Sequence, residues 1–421
     1  MKKLTITLIL ALCILPLSAK DSADEQRIQK TVDQIMSRMT LEQKVAQLFM
    51  VSINRNEAPA ARAVQDSLVK MGLGGIIIMR GPVEPFMERM NELQSNSRIP
   101  IIVSTDAEWG ANMRFSEYPH YPMQYQLCKM QDRADLMYKM GRNVAKELRD
   151  LNIHVNLAPV ADMVEVPSEN SSQRDLAFGV GHATEYGDAY MRGMQDYGIS
   201  ACAKHFPSHG DTNVDTHRET LNINGEITRE RYDSVYLVPF RKMIDDGIDF
   251  VMMGHHSVSC LDPTLTPSSI SKPIVNDLLR RDLGFTGIVT TDALGMEGVA
   301  HGRTPVEVNI AAYKAGIDIL LMPLDPINSI RAITDSLQCG AFPMDELDAR
   351  VRKVLSVKAR KGFFDEGYDP IVRDVPTKVR RAVRRDNALI RKMNREIRKA
   401  DPYIRETVYK DPTLQMDLGR D

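Results

Sequence analysis

Apolar residues along this chain gather into eight short, nearly unbroken runs at residues 45–53, 73–79, 101–105, 154–160, 199–203, 250–253, 287–291 and 317–322. Runs of this kind read as strands buried on both faces. Amphipathic stretches separate them, among them 133–148, 185–197, 228–245 and 273–283. Thr40, with Gln43 three residues on, forms a capping box for a helix ahead of the first strand. Strands alternating with helices imply a parallel sheet. Eight such units predict an α/β fold, a (β/α)8 TIM barrel. An open doubly wound sheet is the competing architecture. Polar residues favour the barrel: Asp106, Lys204, His205, His255 and Asp292 each follow the end of an apolar run, and four different runs contribute. A barrel carries its active site at that C-terminal rim.

The two ends of the chain differ from this pattern. Lys2 and Lys3 precede an apolar run from Leu4 to Leu17, and Leu17-Ser18-Ala19 offers a small-residue cleavage site. Residues 1–19 therefore read as a signal peptide, which predicts an exported protein, periplasmic or secreted. The run is too short for a good membrane span and carries Pro16 near its end. Leu12 is too large for the residue that usually precedes a lipid-anchored cysteine, which argues against an anchor at Cys13. Residues 20–367 hold the barrel. From residue 368 onward the chain is a basic tail, with Val375, Val379, Val383, Ile390 and Ile397 spaced as on a helix. One or two helices packed loosely on the barrel, or projecting from it, fit this stretch. Its reading is a solvated extension or a weak contact with an anionic surface or partner.

Composition narrows the function. The apolar fraction is 43%, the charged fraction 26% and the net charge -2, values of an ordinary globular protein with no bias toward nucleic acid. Beyond Cys13, the cysteines at 128, 202, 260 and 339 show no C-x-x-C spacing and read as buried free thiols. No cofactor motif is present.

The chemistry concentrates in residues 204–217, KHFPSHGDTNVDTH, where three imidazoles, two carboxylates and a lysine crowd together. No core segment looks like this, because each unpartnered buried ion costs several kcal/mol. Asp215 and His217 lie two apart, so in an extended backbone they point the same way. The carboxylate can then orient and tune the imidazole for proton transfer. Gly210, Asp211 and Asn213 make the stretch a loop. His205, His209, Asp211, Asp215 and His217 also raise a metal reading, but Lys204 beside them would repel a cation and no short zinc signature matches. Asp292, at the tip of a buried strand, suits a nucleophile or base; a helix cap or ion pair is the structural alternative. Arg114, Arg174 and Asp106 read alone as ion-pair residues, and their place past strand ends raises a binding role. Trp109 suits either a sugar platform or the core.

KHFPSHGDTNVDTH resembles the KHFPGHG…D-[ST]-H signature of glycoside hydrolase family 3, in its single-domain β-N-acetylhexosaminidase branch. TDAEWGANMRF is similar to that family's D-x-E-x-G segment, HVNLAPVAD to its VNLAPV-x-D strand and GIVTTDALGM to its nucleophile strand. SSISKPIVNDLLRRDLGFTG is similar to the helix before it. The resemblance implies Asp292 as nucleophile, His217 as general acid/base and Asp215 as its partner. It implies Asp106, Arg114, Arg174, Lys204 and His205 as sugar-binding residues. Arg174 carries over least directly, because RDLAFG holds extra residues relative to the family's R-S-F-G. Implied too are retention of configuration, no metal and no cofactor. Ser208 stands where the family has Gly, Ala111 where some members have Arg, and Ala293 where a second Asp is frequent. If position 208 needs a positive φ, Ser is strained there.

The expected function is release of terminal β-linked N-acetylglucosamine from amino-sugar glycans such as peptidoglycan fragments, with water or phosphate as acceptor. Two other readings stand beside it. One is a non-catalytic glycan-binding or assembly barrel; the other is a β-glucosidase-like specificity.

Overall fold

The computed structural model describes residues 19–130, 132–164, 174, 176–177, 179–210, 222–223, 227–300 and 302–400. Its eight principal strands are β1 (Phe49–Ile53), β2 (Gly75–Ile78), β3 (Ile102–Thr105), β4 (Val155–Asn156), β5 (Ser200–Phe206), β6 (Phe250–Met253), β7 (Ile288–Thr291) and β8 (Leu320–Leu321). Each falls within an apolar run of the sequence, β5 continuing three residues past its own. The strands pair in parallel in chain order from β1 to β7, and β8 pairs with β1. A parallel bridge between Thr290 and Ile319 closes β7 onto β8. Closure removes the open-sheet alternative and leaves the eight-stranded sheet without an edge strand to protect.

Burial explains the run-like patterning. Every residue of β2, β3, β6 and β7 is buried, one face against the barrel interior and the other against helices. Helices Ala134–Asp150 and Val180–Gln195 pack on the outer wall, the second starting earlier than its periodicity suggests. The capping box forms as expected: Gln43 donates its amide to Thr40 Oγ1 at 3.2 Å, and Thr40 donates its amide to Gln43 Oε1 at 3.0 Å. Among the described residues no helix is long and apolar enough to cross a membrane. Most of the signal segment lies outside the described residues.

Two sequence expectations need correction. Cys128 and Cys202 are buried thiols, but Cys260 is half-buried and Cys339 exposed, because Cys339 ends a surface helix at Gln338. Over its described residues the basic tail neither projects nor packs loosely. It is one helix, Val375–Ala400, burying Val375, Ala382, Asp386, Met393 and Ile397 against the barrel's outer layer. The expected valine stripe lies partly to one side of that face, and a charged pair marks its middle. Asp386, fully buried, accepts from Arg385 Nε at 2.7 Å and Nη2 at 2.9 Å. Arg385 also donates to the Asn143 carbonyl at 3.3 Å.

Beneath this pair sits Glu147, fully buried on helix Ala134–Asp150, whose Oε2 accepts the Ala111 amide at 2.9 Å. Burial first, then the neighbouring Asp386 carboxylate, pushes the Glu147 pKa well above the ordinary carboxylate range. The tail helix is thereby tied to the segment that follows β3. A raised folded pKa means that the stability from neutral Glu147 is complete below its unfolded pKa and is lost as pH rises through the folded value. Glu147→Gln locks the neutral form. As pH rises above the unfolded carboxyl range the parent is expected to lose unfolding free energy that E147Q keeps, read as urea midpoints across a pH series. Parallel profiles for the two proteins would contradict this account.

Candidate active site

The C-terminal rim carries a continuous chain of charge. Lys204, 2% exposed on β5, places Nζ 2.7 Å from Asp106 Oδ1 and 2.7 Å from Glu108 Oε1. Arg114 closes on the other oxygen of Asp106. Arg174 donates to Glu108 through Nε at 2.9 Å and Nη2 at 2.7 Å, the two-pronged geometry that guanidinium and carboxylate favour. Three cations thus enclose two carboxylates. Burial alone would raise the carboxylate pKa values, but Lys204 and Arg114 hold Asp106 well below the usual range. Against the same burial, Arg174 and Lys204 bring Glu108 down to about 2. Lys204 in turn keeps its proton: its two acidic neighbours outweigh burial and raise its pKa. All these groups are charged at neutral pH and present fixed donors and acceptors to a polyhydroxylated ligand. Arg114 Nε is buried with no hydrogen-bond partner.

A second unit lies beside the first. Asp162, fully buried just past β4, accepts the His205 amide at 3.0 Å and sits 2.6 Å from its Nδ1 through the same oxygen. Its other oxygen accepts the His209 amide at 3.3 Å. Burial would raise the Asp162 pKa, but His209 and His205 pull it far below normal. With Nδ1 committed to Asp162, the His205 ring turns Nε2 toward Asp292 Oδ2 at 3.7 Å. The pairing of β5 with β6 shifts register between Ala203 and Phe206, where Lys204 and His205 stand. An irregularity there lets two consecutive residues serve neighbouring parts of one site.

Asp292 follows β7 and is held by its backbone. Its amide donates to the Met253 carbonyl at 2.8 Å, and its Oδ1 accepts the Ala293 amide at 2.7 Å. Burial would raise its pKa, yet His205, His255, the Ala293 amide and Lys204 lower it, so the carboxylate stays ionised. His255 braces this turn, with Nδ1 2.7 Å from Ser269 Oγ and Nε2 2.9 Å from the Ala293 carbonyl. His256 is a core residue, kept neutral by burial, which brings its pKa down to about 3. Asp106, Arg114 and Asp292 open onto one cleft of about 660 Å³ at the rim, floored by Leu157, Met252 and Leu321.

The structure thus brings together Asp106, Arg114, Arg174, Lys204, His205 and Asp292. Asp215 and His217 lie outside the described residues. Glu108 and Asp162 are the additions that the sequence reading did not single out. Both were visible as carboxylates within quoted motifs, Glu108 two residues beyond Asp106 and Asp162 at the end of HVNLAPVAD. Their partners are distant in sequence, so no local spacing marks them. Trp109 is only 7% exposed and is absent from the cleft lining, which makes it a core residue.

Ser208 has φ 87°, the left-handed region that glycine fills without strain. It is buried, its carbonyl accepting from Tyr232 Oη at 3.0 Å and its Oγ from the Gly210 amide at 3.4 Å. The sequence condition for strain at this position is met.

A closed parallel barrel with a buried carboxylate facing a histidine at its C-terminal rim defines the class of the protein. The family described as glycosyl hydrolase family 3 N terminal domain matches residues 40–357, and the chain belongs to it. The chain is 31% identical over 340 residues to beta-hexosaminidase LpqI of Mycobacterium tuberculosis, covering 75% of this chain and 82% of that protein. It is 26% identical over 292 residues to beta-hexosaminidase A of Pseudoalteromonas piscicida, covering 63% of this chain but spanning only about half, 48%, of that longer relative. Among solved structures, a glycoside hydrolase family 3 beta-N-acetylglucosaminidase from Paenibacillus superposes with TM-score 0.71 at 28% identity, over 85% of this chain and 69% of that one.

Relief of the backbone strain is measurable. Ser208→Gly is expected to raise the unfolding free energy by about 1 kcal/mol in chemical denaturation. A fall would mean that the hydroxyl contact to Gly210 outweighs the strained φ.

Proposed function

We propose that this chain is an exported retaining β-N-acetylhexosaminidase that releases terminal β-linked N-acetylglucosamine from amino-sugar glycans, peptidoglycan fragments among them. The observation that carries the reading is Asp292: a carboxylate kept ionised in a buried cleft, 3.7 Å from His205 and sharing that cleft with Asp106 and Arg114. The relatives' names support the amino-sugar preference. Lys2, Lys3 and the apolar run after them support export.

In the first step an Asp292 oxygen attacks the anomeric carbon as the bond to the leaving oxygen breaks. His217 gives its proton to that oxygen, and Asp215 stabilises the charge pattern on the ring. In the second step water attacks the same carbon, passes its proton to His217 and frees Asp292. Two displacements at one carbon retain its configuration. Asp106, Arg114, Lys204 and Arg174, the last acting through Glu108, hold the ring so that its anomeric carbon meets Asp292. Preformed positioning of this kind lowers the barrier without reorganisation at the moment of reaction.

The test is turnover of 4-nitrophenyl N-acetyl-β-glucosaminide beside the matching glucoside. Preference for the acetamido sugar is expected, with activity abolished in Asp292→Asn. Folded protein that turns over neither sugar would instead support a binding role. His217→Ala is expected to cost about 100-fold or more on poor leaving groups and clearly less on the activated aryl glycoside. Equal losses on both would rule out its role as acid.

A further inference from the structure

The wall of the cleft nearest β1 and β8 has no part in the mechanism above, and its chemistry is specific. Glu57, on the turn after β1, lines the cleft together with Asp292, Gln65, Val64 and Leu324. Both donors that reach Glu57 converge on one oxygen. Oε1 accepts the Asn54 amide at 2.7 Å and Gln65 Nε2 at 2.6 Å. Oε2 is buried and has no hydrogen-bond partner.

This arrangement is held from behind. Arg89 donates to Gln65 Oε1 through Nε at 3.2 Å and Nη2 at 3.0 Å. The Gln65 amide is therefore oriented with its NH2 group toward Glu57 and the Ser52 carbonyl, the latter at 2.9 Å. Arg89 is itself fixed by Asp66 at 2.9 Å and Glu92 at 2.7 Å. A buried acceptor left without a donor is costly and marks a place where a ligand can supply one. Beside it the wall is aliphatic: Val64 is 38% exposed and Leu324 53% exposed, and both face the cleft.

We propose that Glu57, Val64 and Leu324 form the acetamido subsite, with Glu57 Oε2 accepting the sugar's amide N–H and the aliphatic wall taking its methyl group. The inference rests on the N-acetylglucosaminidase reading and assigns residues to its sugar preference. An acetamido group carries one donor and one methyl, which match one orphan acceptor and one apolar wall. The subsite is built on the turn after β1 and its helix-borne support, outside the ion chain formed by Asp106, Lys204 and Glu108.

Glu57→Gln tests it. In this variant the side-chain oxygen stays with the Asn54 and Gln65 donors, so an NH2 group replaces Oε2. An amide N–H can only donate and is left facing another donor, whereas a sugar hydroxyl can turn and accept. The ratio of kcat/KM for the 4-nitrophenyl N-acetyl-β-glucosaminide to that for the glucoside is therefore expected to fall about tenfold. Without sugar, E57Q is expected to melt close to the parent temperature, since one unsatisfied buried polar atom takes the place of another. Leu324→Asp, at an exposed position where folding is not at stake, is expected to lower the same ratio. An active parent whose ratio is unmoved by both variants would overturn the subsite and leave the function intact. A parent that does not prefer the acetamido sugar would overturn the function and the subsite together.

Discussion

The buried ammonium of Lys204 is the interaction on which the site depends. A lone charge at that depth would be expelled or neutralised. It is kept because Asp106 and Glu108, delivered by the segment after β3, each lie 2.7 Å away. Those two carboxylates are tolerated in turn because Arg114 takes the remaining oxygen of Asp106 and Arg174 grips both oxygens of Glu108. Lys204, Asp106 and Glu108 each touch two groups of opposite charge, so taking one member out leaves its neighbours only partly compensated, at a cost of up to about 3–5 kcal/mol. The ions therefore hold one another in place, and that rigidity positions a ligand.

A similar dependence runs outward from the site. The segment bearing Asp106 and Arg114 is anchored at Ala111 by Glu147, and Glu147 lies under the Arg385–Asp386 pair of the tail helix. The tail is thus a buttress of the loop that carries half of the ion chain. Its basic composition suggested a solvated stretch, whereas its buried face is apolar with one acidic residue at its middle.

The strands were readable because a barrel strand is covered on both faces, so its run of apolar residues is itself the signal. Asp106, Lys204, His205 and Asp292 were readable for the same reason: ionisable residues directly after such runs have nowhere to go but the rim. Glu108, Asp162 and Glu57 were harder. Each works through partners on other strands or helices, and nothing in the residues beside them announces a partner 43 positions away, as His205 is from Asp162. The tail helix failed by the same rule, since hydrophobic spacing proposes a buried face but cannot foresee a buried ion pair.

Local order along the chain thus determined the element types, their alternation, the capping box at Thr40 and which polar residues reach the rim, because these follow from periodicity and from the cost of burying charge. The tertiary structure decided what those residues do to each other. Pairing of β5 and β7 on either side of β6 sets the carboxylate and imidazole face to face, and packing of the outer helices fixes which acid is neutral and which is ionised. The physical reason is range: propensity and patterning act over a few residues, whereas desolvation and Coulomb interaction depend on distances that exist only once the barrel has closed.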